Sequence, residues 1–274
     1  MSKRADLKAQ IHTLGEIKSI LGAMKNLSII EMNKVSRFLG AQNELAVSIE
    51  EALVDFERFY GRDVEGDTGE MIYVLLGSER GFCGGFNEAI LKRFVAVVPS
   101  GKVPAKVIVV GRKLASKLGG EAGAVKVVQV IDGASAAEEI AGCIAELIRC
   151  LTRWPKMQWT LVHHENSDSH GKIAVVCPFT PKATAQARVE SVAPLLNISP
   201  NELFPQLFEQ YLFSVLYRAF YLSFLAENRE RLRHMDGALR TLERNWNQLR
   251  GQSNRLRQEE ITEELEIIML SAGG

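Results

Sequence analysis

Residues 232–256 read LRHMDGALRTLERNWNQLRGQSNRL. Within this stretch Leu232, Met235, Leu239, Leu242, Trp246, Leu249, Ser253 and Leu256 follow one another at spacings of three and four. That alternation is the 3.5-residue period of a narrow apolar seam, which a helix carries when it winds against another long helix. The stripe then shifts to Ile261, Leu265 and Ile268. No proline follows Pro205, which is read as sitting in a first helical turn, where proline is tolerated. One helix is expected over 200–274.

The first 60 residues answer it. They contain no proline, and Met32, Val35, Leu39, Ala46, Ile49, Leu53 and Phe56 keep the same spacing, with Gln42 as the polar exception. Upstream, Leu7, Ile11 and Leu14 form a similar stripe, and Ile17, Ile20, Met24 and Leu27 are read as its continuation after a phase shift. At ~1.5 Å per residue each terminal helix would be roughly 80–100 Å long. Two such seams in one chain pair most economically as an antiparallel coiled coil.

The middle reads differently. Met71–Gly77, Ala105–Gly111 and Val125–Val130 are short β-branched runs, separated by helix-like stretches at Asn87–Val98, Arg112–Leu118 and Ser135–Leu151. Such alternation predicts parallel βαβ units. Gln158–His163 and Lys172–Cys177, joined by a polar turn, predict a closing hairpin. The expected fold class is therefore α/β: a long antiparallel coiled coil (1–60 with 200–274) with an inserted Rossmann-like α/β domain (70–180).

Composition narrows the function. Lys+Arg and Asp+Glu both number 33 in 274 residues, so the net charge is zero and a chain basic throughout, as a histone-like nucleic-acid binder would be, is excluded. The longest apolar runs, such as Val107–Val110, fall far short of the ~20 residues of a membrane span. Met1–Asp6 leads into a polar stretch with no apolar core of a secretory signal. Cys83, Cys143, Cys150 and Cys177 form no Cys-x-x-Cys pair, which argues against a disulfide framework or zinc site.

Candidate chemistry lies first in the turn after strand one, Ser78-Glu79-Arg80-Gly81-Phe82-Cys83-Gly84-Gly85-Phe86-Asn87. A glycine-rich turn at that position binds phosphate in many α/β folds. This one lacks both the Gly-Lys-Ser/Thr ending and the Gly-x-Gly-x-x-Gly spacing. It reads as a tight turn with Asn87 capping the next helix. Cys83 near a helix start would suit a nucleophile, but no histidine neighbours it in sequence. His163, His164 and His170 cluster without a recognisable ligand spacing and read as surface residues of the hairpin. Neither cofactor nor metal is expected. The last helix carries Arg229, Arg231, Arg233, Arg240, Arg244, Arg250, Arg255 and Arg257, then an acidic block, Glu259, Glu260, Glu263, Glu264 and Glu266. Solvated charge is the plain reading; arginine also makes directional ion pairs across interfaces. Apolar Ile267–Leu270 at its end would be exposed unless a partner surrounds it.

Three segments carry a resemblance. The turn at Ser78–Asn87 resembles the Asp-Arg-Gly-Leu-Cys-Gly-Gly-x-Asn segment of F-type ATP synthase gamma subunits. Asn254–Leu265 resembles that family's Asn-x-x-Arg-Gln-x-x-Ile-Thr-x-Glu-Leu motif, and Ile20–Met24 its Ile-Thr-x-Ala-Met. The resemblance implies a non-catalytic central-stalk rotor without cofactors. Its partners would be the alpha and beta subunits, the epsilon subunit and the membrane c-ring, with no nucleic acid involved. It would couple transmembrane ion flow to ATP synthesis or hydrolysis, as a peripheral membrane protein on the cytoplasmic face of the inner membrane. It further implies rotor-stator contact at Arg231, Arg257, Gln258, Thr262 and Glu264. Met24 and Met235 would face each other in the coiled-coil core, joined there by Leu239, Leu242, Trp246 and Leu249.

The chain departs from the family at Gly22, Ile267, Ser271 and Val192–Asn197, marking a divergent member, with an alternative F-type ATPase as one reading. The other functional classes are a nucleotide- or metabolite-binding α/β enzyme with coiled-coil dimerisation arms, and a generic coiled-coil scaffold.

Overall fold

The computed structural model describes residues 3–61, 71–98, 105–119, 125–154, 157–165, 172–178 and 193–272. It is an α/β protein with two long terminal helices, α1 (Lys3–Tyr60) and α5 (Pro200–Ala272). Between them lie β1 (Met71–Leu76), α2 (Phe86–Val97), β2 (Ala105–Val110), α3 (Arg112–Leu118), β3 (Val125–Ile131), α4 (Ile140–Leu151), β4 (Gln158–His164) and β5 (Ile173–Val176). A 3-10 turn, Ala137–Glu139, leads into α4. The chain forms two compact units, one of residues 30–230 and one of 1–29 with 231–274.

In the first unit the sheet order is β3-β2-β1-β4-β5. The first four strands are parallel, and β5 returns antiparallel along β4 as a hairpin partner. Side chains alternate between faces at period two. Ile72, Val74, Leu76, Ile108, Val110 and Leu161 pack with α4 and with Val35, Leu216, Phe220 and Phe224 of the terminal helices. Tyr73, Leu75, Val107, Val109 and Val162 pack on the other face with Ile90, Phe94, Leu114 and Leu118 of α2 and α3. Both faces being covered explains why β1 and β2 read as continuous apolar runs.

Close approach at the strand ends requires glycine at two positions. Gly111 has φ +102°, and a Cβ there would lie 2.6 Å from the Ser78 carbonyl oxygen. A Cβ on Gly77 would lie 2.2 Å from the Leu114 side chain.

The second unit is built from the outer parts of α1 and α5. Leu21, Met235 and Leu242 form its buried cluster, with Leu14, Met24, Ala238 and Leu239 packed around them. Ion pairs join Arg4 to Glu260 (2.5 Å), Lys18 to Glu243 (2.9 Å) and Lys25 to Asp236 (2.6 Å). Numbers rise along α1 as they fall along α5, so the two segments run antiparallel.

Several expectations change. The seam on α1 undergoes no phase shift. The less exposed positions continue from Leu7, Ile11 and Leu14 to Leu21 and Ser28, while Ile17, Ile20 and Leu27 are 40%, 60% and 46% exposed. Lys18 and Lys25 take the intervening heptad places, and their ammonium groups reach Glu243 and Asp236. Ile261, Leu265 and Ile268 are likewise exposed rather than holding a seam. Arg4, at the start of α1, already sits opposite Glu260. Helix α5 begins at Pro200, which takes the first-turn role expected of Pro205, and Pro205 lies inside the helix.

His163 and His164 are not surface residues of the hairpin. Both lie on β4 and are buried, since β4 is covered on both faces and flanked by β1 and β5. His170 lies outside the described residues.

Candidate functional site

In a doubly wound sheet the ligand crevice opens at the carboxyl ends of the strands, where the strand order reverses. Here that point lies between β1 and β4. It is filled by the chain itself. The Phe86 ring, at the start of α2, stacks on His164 at the end of β4, with centroids 3.9 Å apart and planes 14° apart. His164 Nε2 donates to the Phe86 carbonyl (2.9 Å), and His163 Nδ1 contacts the His164 carbonyl (2.8 Å). Burial holds both imidazoles neutral, with pKa values lowered to about 4.

The glycine turn is also occupied by its own side chains. Asn87 does not cap α2; Gly85 stands at that position without a side-chain bond. Instead the Asn87 amide folds back on strand one. Its Oδ1 accepts the Ser78 N–H (3.0 Å), and its Nδ2 donates to Ser78 Oγ (2.8 Å). Cys83 Sγ donates to the same hydroxyl (3.3 Å). Ser78, Cys83 and Asn87 are all buried.

Glu79 closes the neighbouring strand ends. Its Oε2 accepts N–H groups from Arg112 (3.0 Å) and Gly133 (2.8 Å), and its Oε1 pairs with the Arg112 guanidinium. Burial pushes the carboxyl up, but these bonds outweigh it and hold the carboxyl below its ordinary range. The turn is thus a lock across β1, β2 and β3, not a phosphate cradle. Among the described residues no three His, Cys, Asp or Glu side chains are placed to hold a metal ion. Burial raises the Cys143 thiol to about 11, unsuited to nucleophilic work.

The residues named from the resemblance fall into two groups. Arg257, Gln258, Thr262 and Glu264 lie exposed on the last five turns of α5, beside the exposed Ile267–Leu270. A shallow surface there is lined by Arg255, Gln258, Glu259, Thr262, Glu263 and Glu266. The Thr262 hydroxyl donates to the Gln258 carbonyl (2.9 Å). Arg231 is different, being buried to 8% exposure.

Met24 and Met235 come together in one apolar cluster, with Leu239 and Leu242. Trp246 and Leu249 are half-buried. The Arg250 guanidinium stands 5.1 Å from the centroid of the Trp246 ring, and Leu249 lines a groove with Ala9, Gln10, Thr13 and Leu14. Sequence reasoning missed Glu31, which is buried, and Glu79, whose side chain is 7% exposed. Nothing in the local sequence of either announces burial.

The ATP synthase family model matches residues 3–272. The ATP synthase gamma chain of Persephonella marina is 25% identical, over 95% of this chain and 94% of its own. That of Campylobacter concisus is 24% identical, over 97% and 96%. Among solved structures, a chain of the mitochondrial ATP synthase rotor of Euglena gracilis superposes with a TM-score of 0.66 at 14% identity, over 94% of this chain and 98% of its own. One from the central stalk and c-ring of Tetrahymena thermophila mitochondrial ATP synthase gives 0.58 at 18% identity, over 80% and 99%. These structural likenesses are likenesses of fold. With the family model matched over nearly its whole length, the chain belongs to the ATP synthase family, as a divergent relative of the gamma chains.

Proposed function

We propose that the chain is the central-stalk rotor of an F-type ATP synthase, coupling ion flow through a c-ring to ATP synthesis or hydrolysis in an alpha/beta ring. The observation that carries this reading is the antiparallel joining of the chain's two termini, through Arg4–Glu260, Lys18–Glu243 and Lys25–Asp236. A two-helix shaft whose outer turns carry exposed polar and apolar side chains suits insertion into a ring of other subunits. Residues 1–60 and 200–274 would form an antiparallel coiled coil with Met24, Met235, Leu239, Leu242, Trp246 and Leu249 in its core. Residues 70–180 would be a Rossmann-like domain that carries no nucleotide, since its crevice is filled by Phe86 and His164.

Arg257, Gln258, Thr262 and Glu264 would make the rotor-stator contacts. Exposed charge-assisted bonds of about 0.2–1 kcal/mol each form and release readily as a shaft turns. Arg231 would stiffen the shaft beneath them, since a buried guanidinium suits support better than transient contact. In physical terms the rotor is an asymmetric ligand that biases each beta subunit between conformations. The subunit itself would be non-catalytic. It would bind epsilon and the c-ring and lie peripherally on the cytoplasmic face of the membrane; no described helix is long and apolar enough to cross one.

The test is co-assembly. Mixed with alpha and beta subunits, the chain should enter the hexamer at one copy per ring. Persistent exclusion of the folded chain would reject the reading.

A further inference from the structure

Glu31 lies on α1 and is 4% exposed. A carboxylate at that depth is costly unless both oxygens are bonded. Both are. Oε2 accepts the N–H of Ala137 at 2.8 Å, in the turn that leads into α4, and Oε1 accepts Lys34 Nζ at 2.8 Å, one turn along α1. Lys34 Nζ also reaches Glu138 Oε1 at 2.9 Å, next to Ala137 in sequence. The result is a closed ring of contacts, Glu31–Ala137–Glu138–Lys34, stitching α1 to the entrance of α4. Around it, Met32, Val35 and Leu39 of α1 pack into the apolar cluster of the sheet.

These two kinds of contact resist different motions. Apolar burial is non-directional and opposes separation. A hydrogen bond also fixes rotation and axial register. With side-chain tips about 6 Å from the helix axis, turning α1 by about 10° carries the carboxylate roughly 1 Å, enough to break a 2.8 Å bond.

We propose that the Glu31 carboxylate is the fastening that holds the 30–60 segment of α1 to the sheet of its own unit in fixed rotation and register, so that torque passes between them at Ala137 and Glu138. This role rests on the rotor reading above. Glu31 acts here as a positioning residue and touches no substrate.

The experiment uses the full chain assembled with alpha and beta subunits, the ring fixed to a surface and a bead attached to the sheet unit. Angular variance at a stalled dwell reads torsional stiffness directly. Glu31→Ala should raise the variance by about twofold or more; Glu31→Gln, which keeps an acceptor for Ala137, should raise it less, and Lys34→Ala should fall between them. In the isolated chain, Glu31→Ala should also speed amide exchange over 30–38 and 133–139 by about tenfold while β1 is unchanged, separating a loosened fastening from general unfolding.

Unchanged variance in an assembled Glu31→Ala complex would overturn the proposal. Should Glu31→Ala fail to fold, unchanged variance in both Glu31→Gln and Lys34→Ala would overturn it equally. Failure of the wild-type chain to assemble would instead strike the rotor reading itself.

Discussion

Met235→Ala probes the small apolar cluster of the unit of residues 1–29 and 231–274. Met235 has no exposed surface, and its cluster among the described residues contains two other buried side chains, Leu21 and Leu242, each 9% exposed. The substitution removes three heavy atoms beyond Cβ, worth about 0.8 kcal/mol each, or roughly 2.4 kcal/mol together. If a void of roughly 50 Å³ persists, about 1 kcal/mol is added at 24 cal/mol per Å³. The loss of about 3 kcal/mol should fall on the unit of residues 1–29 and 231–274, because the cluster lies wholly within it. Amide exchange there, over 14–28 and 231–246, should accelerate by roughly two powers of ten, while β1 and β2 keep their protection. The assay is hydrogen exchange read by mass spectrometry. Less than about threefold acceleration in those segments, or equal loss of protection in β1, would refute the claim that the paired helix ends open as their own unit.

Four further outcomes follow from the sheet unit and the exposed turns. His163 and His164 have folded pKa values lowered to about 4. Their contribution to stability should be complete above about pH 6.5 and be lost as pH falls toward 4. Denaturation midpoints between pH 7 and 4 should show that slope, and His164→Phe should flatten it. The Glu79 carboxyl is held below its ordinary range, so its share of stability is present above the unfolded value and lost as pH drops through the folded one; Glu79→Gln should remove that acid-side component. Gly111→Ala combines φ +102° with a Cβ 2.6 Å from a carbonyl oxygen and should cost about 2 kcal/mol or more, seen as a lowered Tm. Replacing Gln258, Thr262 and Glu264 together with alanine should lower coupled ATPase turnover in the assembled complex and leave the circular dichroism of the free chain intact.

Much of this fold is legible in the sequence alone. The strands announce themselves because both faces of the sheet are covered, so β1 and, apart from Lys106, β2 are runs of apolar side chains. The terminal helices do so because their seam period differs from that of an ordinary amphipathic helix. The errors share a physical origin. Apolarity at Ile17, Ile20 and Leu27 suggests a shifted seam, yet Lys18 and Lys25 stand at the heptad places and pair with Glu243 and Asp236. That exchange depends on acids more than 200 residues away. The same holds for Asn87, whose partner is Ser78 across the turn rather than its own helix end, and for Glu31, whose partner Ala137 is 106 residues distant. For the exposed set Arg257, Gln258, Thr262 and Glu264, helical spacing tells which way each side chain points. The groups they would meet belong to other chains.

The most direct test of the rotor account is single-molecule rotation. The chain is assembled with alpha and beta subunits on a surface, a bead is fixed to the sheet unit, and ATP is supplied. The account predicts unidirectional rotation in steps of about 120°, one for each of three beta subunits that the asymmetric shaft biases in turn. A bead that shows only free Brownian motion while the assembled complex hydrolyses ATP at full rate would contradict it.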